Sequence, residues 1–210
     1  MSYKSKVREN LDPPRARFAI LTRRKTKSKF ELNFINLIRN IPKKTTLKNK
    51  VEQLVREAEK LIEIEDYQNA EILLNQVLEE NPNNAEGHYL LGETLCKKEN
   101  FSSAVDHLRK ALLLLPEHPR ILHLLGWVTF MNGDPDSGRK FMLLSLEKLP
   151  EVQTYCDLAV LENGQGNFEK AMEYALKARE IEPDSQMVQE VIEAIRYFKM
   201  LREQLTDKMN

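Results

Sequence analysis

The four histidines of this chain, His88, His107, His118 and His123, are the side chains best suited to proton chemistry near neutral pH, and no two are four residues apart. A helical metal site needs two imidazoles on one face at that spacing, so these histidines are expected to be structural. Cys96 and Cys156 are isolated, with no CxxC or CxxxH spacing, which points to a reducing compartment and against a disulfide framework. The "GQG" at 164–166 lacks the lysine and hydroxyl of a phosphate loop, and carboxylates such as Glu63 and Glu65 fit a solvated helical face. No nucleophile–base pair and no cofactor signature emerges, so a non-enzyme without cofactor or metal is expected. What remains is non-covalent chemistry. Trp127 is the one tryptophan, with Phe130 three residues on, and aromatic anchors dominate protein-binding hot spots. Arg23, Arg24, Lys25, Lys27 and Lys29 form a basic block suited to acidic surfaces.

The elements that would position these residues follow from the prolines. Pro82, Pro116 and Pro150 are 34 residues apart, and Pro183 follows 33 later. A fixed period of this size signals stacked structural units. With the proline set at position 32, units begin at Val51, Ala85, Pro119 and Val152. Small residues recur at position 8 (Ala58, Gly92, Gly126, Ala159) and at position 20 (Ala70, Ala104, Gly138, Ala171), where two helices would approach closely. Position 7 holds Leu91, Leu125 and Leu158 in the last three units. Position 16 reads Asp66, Asn100, Asp134 and Asn167, each able to cap a second helix by accepting from an unpaired backbone N–H. Pro135, just after such a cap, suits a first helical position, where the N–H has no intrahelical partner. Each unit is therefore two antiparallel helices, which bury their apolar stripes only by stacking on the next pair. The prolines mark the end of each second helix.

The stretches "YLLGETLCKKENFSSAVDHLRKALLLLP" and "YCDLAVLENGQGNFEKAMEYALKAREIEP" resemble the tetratricopeptide repeat family, across residues 51–183. Thr129 and Glu162 depart from its usual aromatic at position 11. The resemblance implies an all-α, right-handed α-solenoid of four helix-turn-helix repeats (51–84, 85–118, 119–151, 152–184). These span 47–183, preceded by a basic arm over 1–46 and followed by a C-terminal capping helix and tail over 184–210. Val188, Val191, Ile192, Ile195 and Phe198 would form the buried face of that cap.

The resemblance also implies a concave groove lined by positions 2, 5, 9 and 12 of the first helices. Mapped here, the groove holds Glu52, Glu59 and Glu86 at one end. Tyr89, Glu93, Arg120, His123, Trp127, Phe130, Cys156 and Val160 form its centre and far end. Of the positions with which some family members clamp a terminal carboxylate, only Arg120 carries a suitable charge, so that mode is not expected. Trp127 has two readings, as an anchor for a foreign segment or as packing against the chain's own helices. The implied role is a non-catalytic adaptor or assembly protein that binds a partner segment in the groove. A structural subunit, or a secretion- or pilus-type chaperone, is the narrower alternative.

Net charge is zero but divided. Residues 1–50 hold 15 Lys/Arg against 3 Asp/Glu, whereas 51–210 hold 17 against 29. Such asymmetry suggests a basic arm on an acidic body. Phe30, Phe34, Leu37, Ile38 and Ile41 lie on one face of a short predicted helix near 30–41, closed by Pro42. The arm could cap the solenoid, lie in the groove of its own or a sister chain, or serve as a second docking element. Alternatively the protein is a factor tethered to an anionic membrane or to nucleic-acid phosphates, acting through this arm. Thr22, Thr26 and Ser28 within it could be phosphorylated to weaken such contacts. No apolar run approaches the roughly 18 residues of a membrane span, and no signal-peptide core is visible, so a cytoplasmic protein is expected.

Overall fold

The computed structural model describes residues 47–207, and these are helical throughout apart from turns. The first unit pairs α1 (Leu47–Glu63) with α2 (Tyr67–Glu80), and the second pairs α3 (Ala85–Lys97) with α4 (Phe101–Leu114). The third pairs α5 (Pro119–Met131) with α6 (Pro135–Lys148), and the fourth α7 (Val152–Gly164) with α8 (Phe168–Ile181). Helix α9 (Gln186–Asp207) closes the array against α7 and α8. This is an α-solenoid of stacked hairpins.

The turns explain the period. Asp66, Asn100 and Asp134 accept from the N–H groups of Asn69, Ser103 and Ser137 at 3.3, 3.4 and 3.0 Å. Asn84 caps α3 in the same way through Gly87, at 2.6 Å. Asn167 departs from the expectation: it makes no side-chain cap, and its amide nitrogen donates to Glu162. Each repeat proline stands two residues past the last residue of its second helix. The shorter fourth period is a linker of three residues before α7, where the other units use four.

Just before each position-16 residue the chain passes through the left-handed region, at Glu65 (φ 60°), Glu99 (φ 60°), Gly133 (φ 95°) and Gly166 (φ 77°). An L-residue with a Cβ is disfavoured there by about 1–2 kcal/mol, which glycine avoids. Units three and four use glycine, and units one and two do not. Glu99→Gly is therefore expected to raise stability by about 0.5–1 kcal/mol despite the added freedom of its unfolded chain. Urea unfolding measures this, and a loss of stability would contradict it.

The core runs along the hairpin seams. Leu91, Leu125 and Leu158 are 1%, 0% and 0% exposed, each contributing about 2 kcal/mol relative to an exposed leucine. Position 8 and position 20 alanines are fully buried where the helices meet. In α9, Val188, Ile192 and Ile195 are buried, with Val191 and Phe198 packed beside them, so this helix covers the last apolar face as expected of a cap.

First helices of successive units touch one another, α1 to α3, α3 to α5 and α5 to α7, whereas α2 does not reach α4. The stack is therefore tighter along the first helices, which form its inner wall. Among the described residues, no helix is long and apolar enough to cross a membrane.

Candidate functional site

On the inner wall, α3, α5 and α7 carry the central groove residues at helical spacing. Tyr89 is partly buried, and the Arg120 guanidinium lies 5.3 Å from its ring centroid and 3.4 Å from its hydroxyl. Burial raises the Tyr89 pKa, Glu93 one turn on raises it further, and Arg120 opposes both. The stack ties unit two to unit three and leaves Arg120 exposed.

One turn along α5, His123 Nε2 donates to Asp157 Oδ2 at 2.7 Å, and Gln153 donates to the other carboxylate oxygen at 2.9 Å. Asp157 is 8% exposed and fastens α5 to α7. Sequence reasoning missed it, because position 6 of a unit is not a groove position in the family pattern. Beyond it, Trp127 and Phe130 meet edge to face with ring centroids 5.6 Å apart. Both are only partly buried, and both rest on the core of units three and four. Val160 on α7 is 38% exposed and Met131 is 42% exposed. Trp127 thus packs on its own solenoid and keeps a solvent-facing part.

Two position-5 residues, Cys156 of the mapped groove and Val55, are nearly closed to solvent. Cys156 is 1% exposed, so it offers nothing to a partner, and Val55 is 4% exposed. Both occupy position 5, which lies at the boundary of groove and core. The longer Tyr89 and His123 extend outward from that position, and shorter side chains stay inside. Burial pushes the Cys156 thiol up to about 11, and the Cys96 thiol likewise to about 11. Neither sulfur is a thiolate at neutral pH, and both are free.

The first end of the groove is a small pocket of about 200 Å³ lined by Glu52, Val55, Glu59 and Glu86, with Arg56 on its rim. Three carboxylates and one guanidinium gather there. Among the described residues, no three His, Cys, Asp or Glu side chains gather as a metal set. The basic block Arg23, Arg24, Lys25, Lys27 and Lys29, and the predicted helix near 30–41, lie outside the described residues.

Behind the groove, α7 is anchored by a buried carboxylate. Glu162 is fully buried and receives Arg139 Nε at 2.6 Å, Arg139 Nη2 at 3.4 Å and the Asn167 amide at 2.7 Å. Arg139 also pairs with Asp136 at 2.7 Å. Burial alone would raise the Glu162 pKa. The hydrogen bonds from Arg139 and Asn167, with the charges of Arg139 and Lys170, outweigh it and hold the carboxyl below the usual range.

Comparison with known proteins agrees with this architecture. Two family models described as tetratricopeptide repeat match residues 61–127 and 152–185. These segments are tetratricopeptide repeats. No curated protein matches its sequence significantly. Among solved structures, MamA superposes with a TM-score of 0.62 at 21% identity, covering 75% of this chain and 86% of that one. PilF of Pseudomonas aeruginosa gives 0.65 at 16% identity, covering 78% and 74%. YrrB, described as a TPR protein with an unusual peptide-binding site, gives 0.59 at 16% identity, covering 83% and 97%. At these identities the likeness is one of fold.

Proposed function

We propose that this tetratricopeptide repeat protein is a non-catalytic adaptor that holds an apolar or amphipathic segment of a partner protein along its inner wall. The observation that carries this reading is the Trp127–Phe130 pair, packed on the core but not fully buried, with exposed Val160 on the neighbouring first helix. Such an anchor is held rigid from behind by the core, so little side-chain entropy is lost on binding. Tyr89, Glu93, Arg120 and His123 supply polar contacts at its edge, with His123 oriented by Asp157. A peptide-binding site in the similarly folded YrrB is consistent with this use of the scaffold. The basic arm acts as a second docking element, a role that rests on its charge.

A nuclease-treated pull-down from the native host tests the groove, comparing wild type with Trp127→Glu by mass spectrometry. Circular dichroism confirms that both baits are folded. Selective loss of one polypeptide in the variant identifies the groove ligand. Recovery of the same partners by both baits would overturn the groove reading and direct attention to residues 1–44.

A further inference from the structure

The outer wall holds a histidine pair that the groove does not use. Where α2 and α4 diverge, they leave a cleft of about 830 Å³ whose lining includes Leu78, Pro82, His88, His107, Lys110 and Leu113. Leu113 is 80% exposed, whereas His88 is only 6% exposed. His88 Nε2 lies 3.0 Å from the Pro82 carbonyl oxygen, and His88 Nδ1 lies 3.0 Å from His107 Nδ1.

These contacts determine the tautomers. A carbonyl only accepts, so His88 Nε2 carries the hydrogen and His88 Nδ1 has a lone pair. The hydrogen between the rings then belongs to His107 Nδ1, which leaves His107 Nε2 with a free lone pair. One proton can be added at His107 Nε2 without loss of either bond. A second must go on His88 Nδ1, where it meets the His107 N–H at 3.0 Å and sets two imidazolium charges against each other.

We propose that His88 and His107 form an acid-released latch. It holds the α2–α3 turn against α3 and α4 at neutral pH, and lets the outer joint between units one and two open once both rings are protonated.

The surrounding charges are mixed. Glu71 and Glu79 face the region from α2, and Asp106 and Lys110 from α4. Glu71 is already paired with Lys98. Burial lowers the pKa of both imidazoles, with Lys110 adding to the effect at His88 against the Pro82 bond, and His88 and Lys110 adding to it at His107. A lowered folded-state pKa means that the unfolded chain binds more protons. The latch therefore contributes fully above the ordinary histidine value of about 6.5, and its contribution declines as pH falls below that value.

The test uses the full chain. Long-range ¹H–¹⁵N spectra at about pH 7.5 should show an Nε2–H tautomer for His88 and an Nδ1–H tautomer for His107, with His88 titrating at the lower pH. Hydrogen exchange over residues 81–90, corrected for intrinsic rates, should lose on the order of tenfold in protection between about pH 6.5 and pH 5. His107→Asn is the informative variant. Its amide nitrogen stands where Nδ1 stood, and the amide can turn to present oxygen once His88 is protonated. Its protection should change less than about twofold over the same window. Reversed tautomers, a pH-independent wild type, or a variant that loses protection in parallel with wild type would each overturn the latch.

Discussion

Arg139→Met should cost about 3 kcal/mol or more of folding stability at neutral pH, because it leaves the Glu162 carboxylate buried without its principal partner. The methionine keeps the apolar stem of the side chain, so the loss is mostly the charge. Asn167 remains at 2.7 Å and Lys170 at 3.9 Å, which places the cost toward the lower part of the usual range. The pH dependence changes sign. In wild type the Glu162 pKa is lowered, so its contribution is present above the unfolded glutamate value and lost as pH falls through the folded one. In the variant, burial dominates and the pKa rises, so acid should reduce the deficit. Urea unfolding at pH 7 and 5 measures both effects. The double variant Arg139→Met/Glu162→Met should recover most of the loss, since an apolar pair of similar volume replaces a buried ion pair at little cost. A single variant as stable as wild type would show that the pair is not a buried anchor.

Gly126→Ala is expected to cost about 2 kcal/mol, although alanine is the better helix former by about 1 kcal/mol. A Cβ at Gly126 would lie 2.9 Å from the Gly138 carbonyl oxygen and 2.9 Å from the Met142 nitrogen. These are backbone atoms of α6, so the two helices must separate. Gly138 is reciprocal: its Cβ would stand 2.8 Å from the Gly126 oxygen and 2.9 Å from Phe130 Cβ. Gly138→Ala should therefore destabilise the fold and also displace half of the aromatic pair, weakening groove binding. Gly92 differs in that its closest neighbours, at 2.6 and 2.8 Å, are side-chain rather than backbone atoms; they belong to the fully buried Leu108, so its substitution should also destabilise, but least of the three. Thermal unfolding of the three alanine variants gives the order. A Gly126→Ala protein more stable than wild type would refute the close crossing of α5 and α6.

The repeat and its hairpins were legible because their signals are local and periodic. Pro82, Pro116, Pro150 and Pro183, the caps at position 16 and the small residues at position 8 act within one unit, and each recurs in the next. What escaped the sequence connects different helices. Glu162 reads as a departure from the aromatic pattern, yet it is a buried acid whose partner Arg139 lies 23 residues earlier on another helix. It also receives the Asn167 amide, from the one position-16 residue that makes no cap. Asp157, bound to His123 across 34 residues, left no trace in the groove register, and neither did the His88–His107 contact across 19. Cys156 was misplaced because a register assigns a direction but not a reach.

The groove itself is tested most directly by position-specific crosslinking. A photoreactive benzophenone amino acid at Val160, on the inner wall, is compared with one at Leu113, which is 80% exposed on the outer wall. In the native host, Val160 should yield one dominant protein adduct that Trp127→Ala diminishes at least about tenfold, and Leu113 should not yield that adduct. Adducts of the same partner from Leu113 alone, or a Val160 adduct indifferent to Trp127, would contradict a binding site on the inner wall.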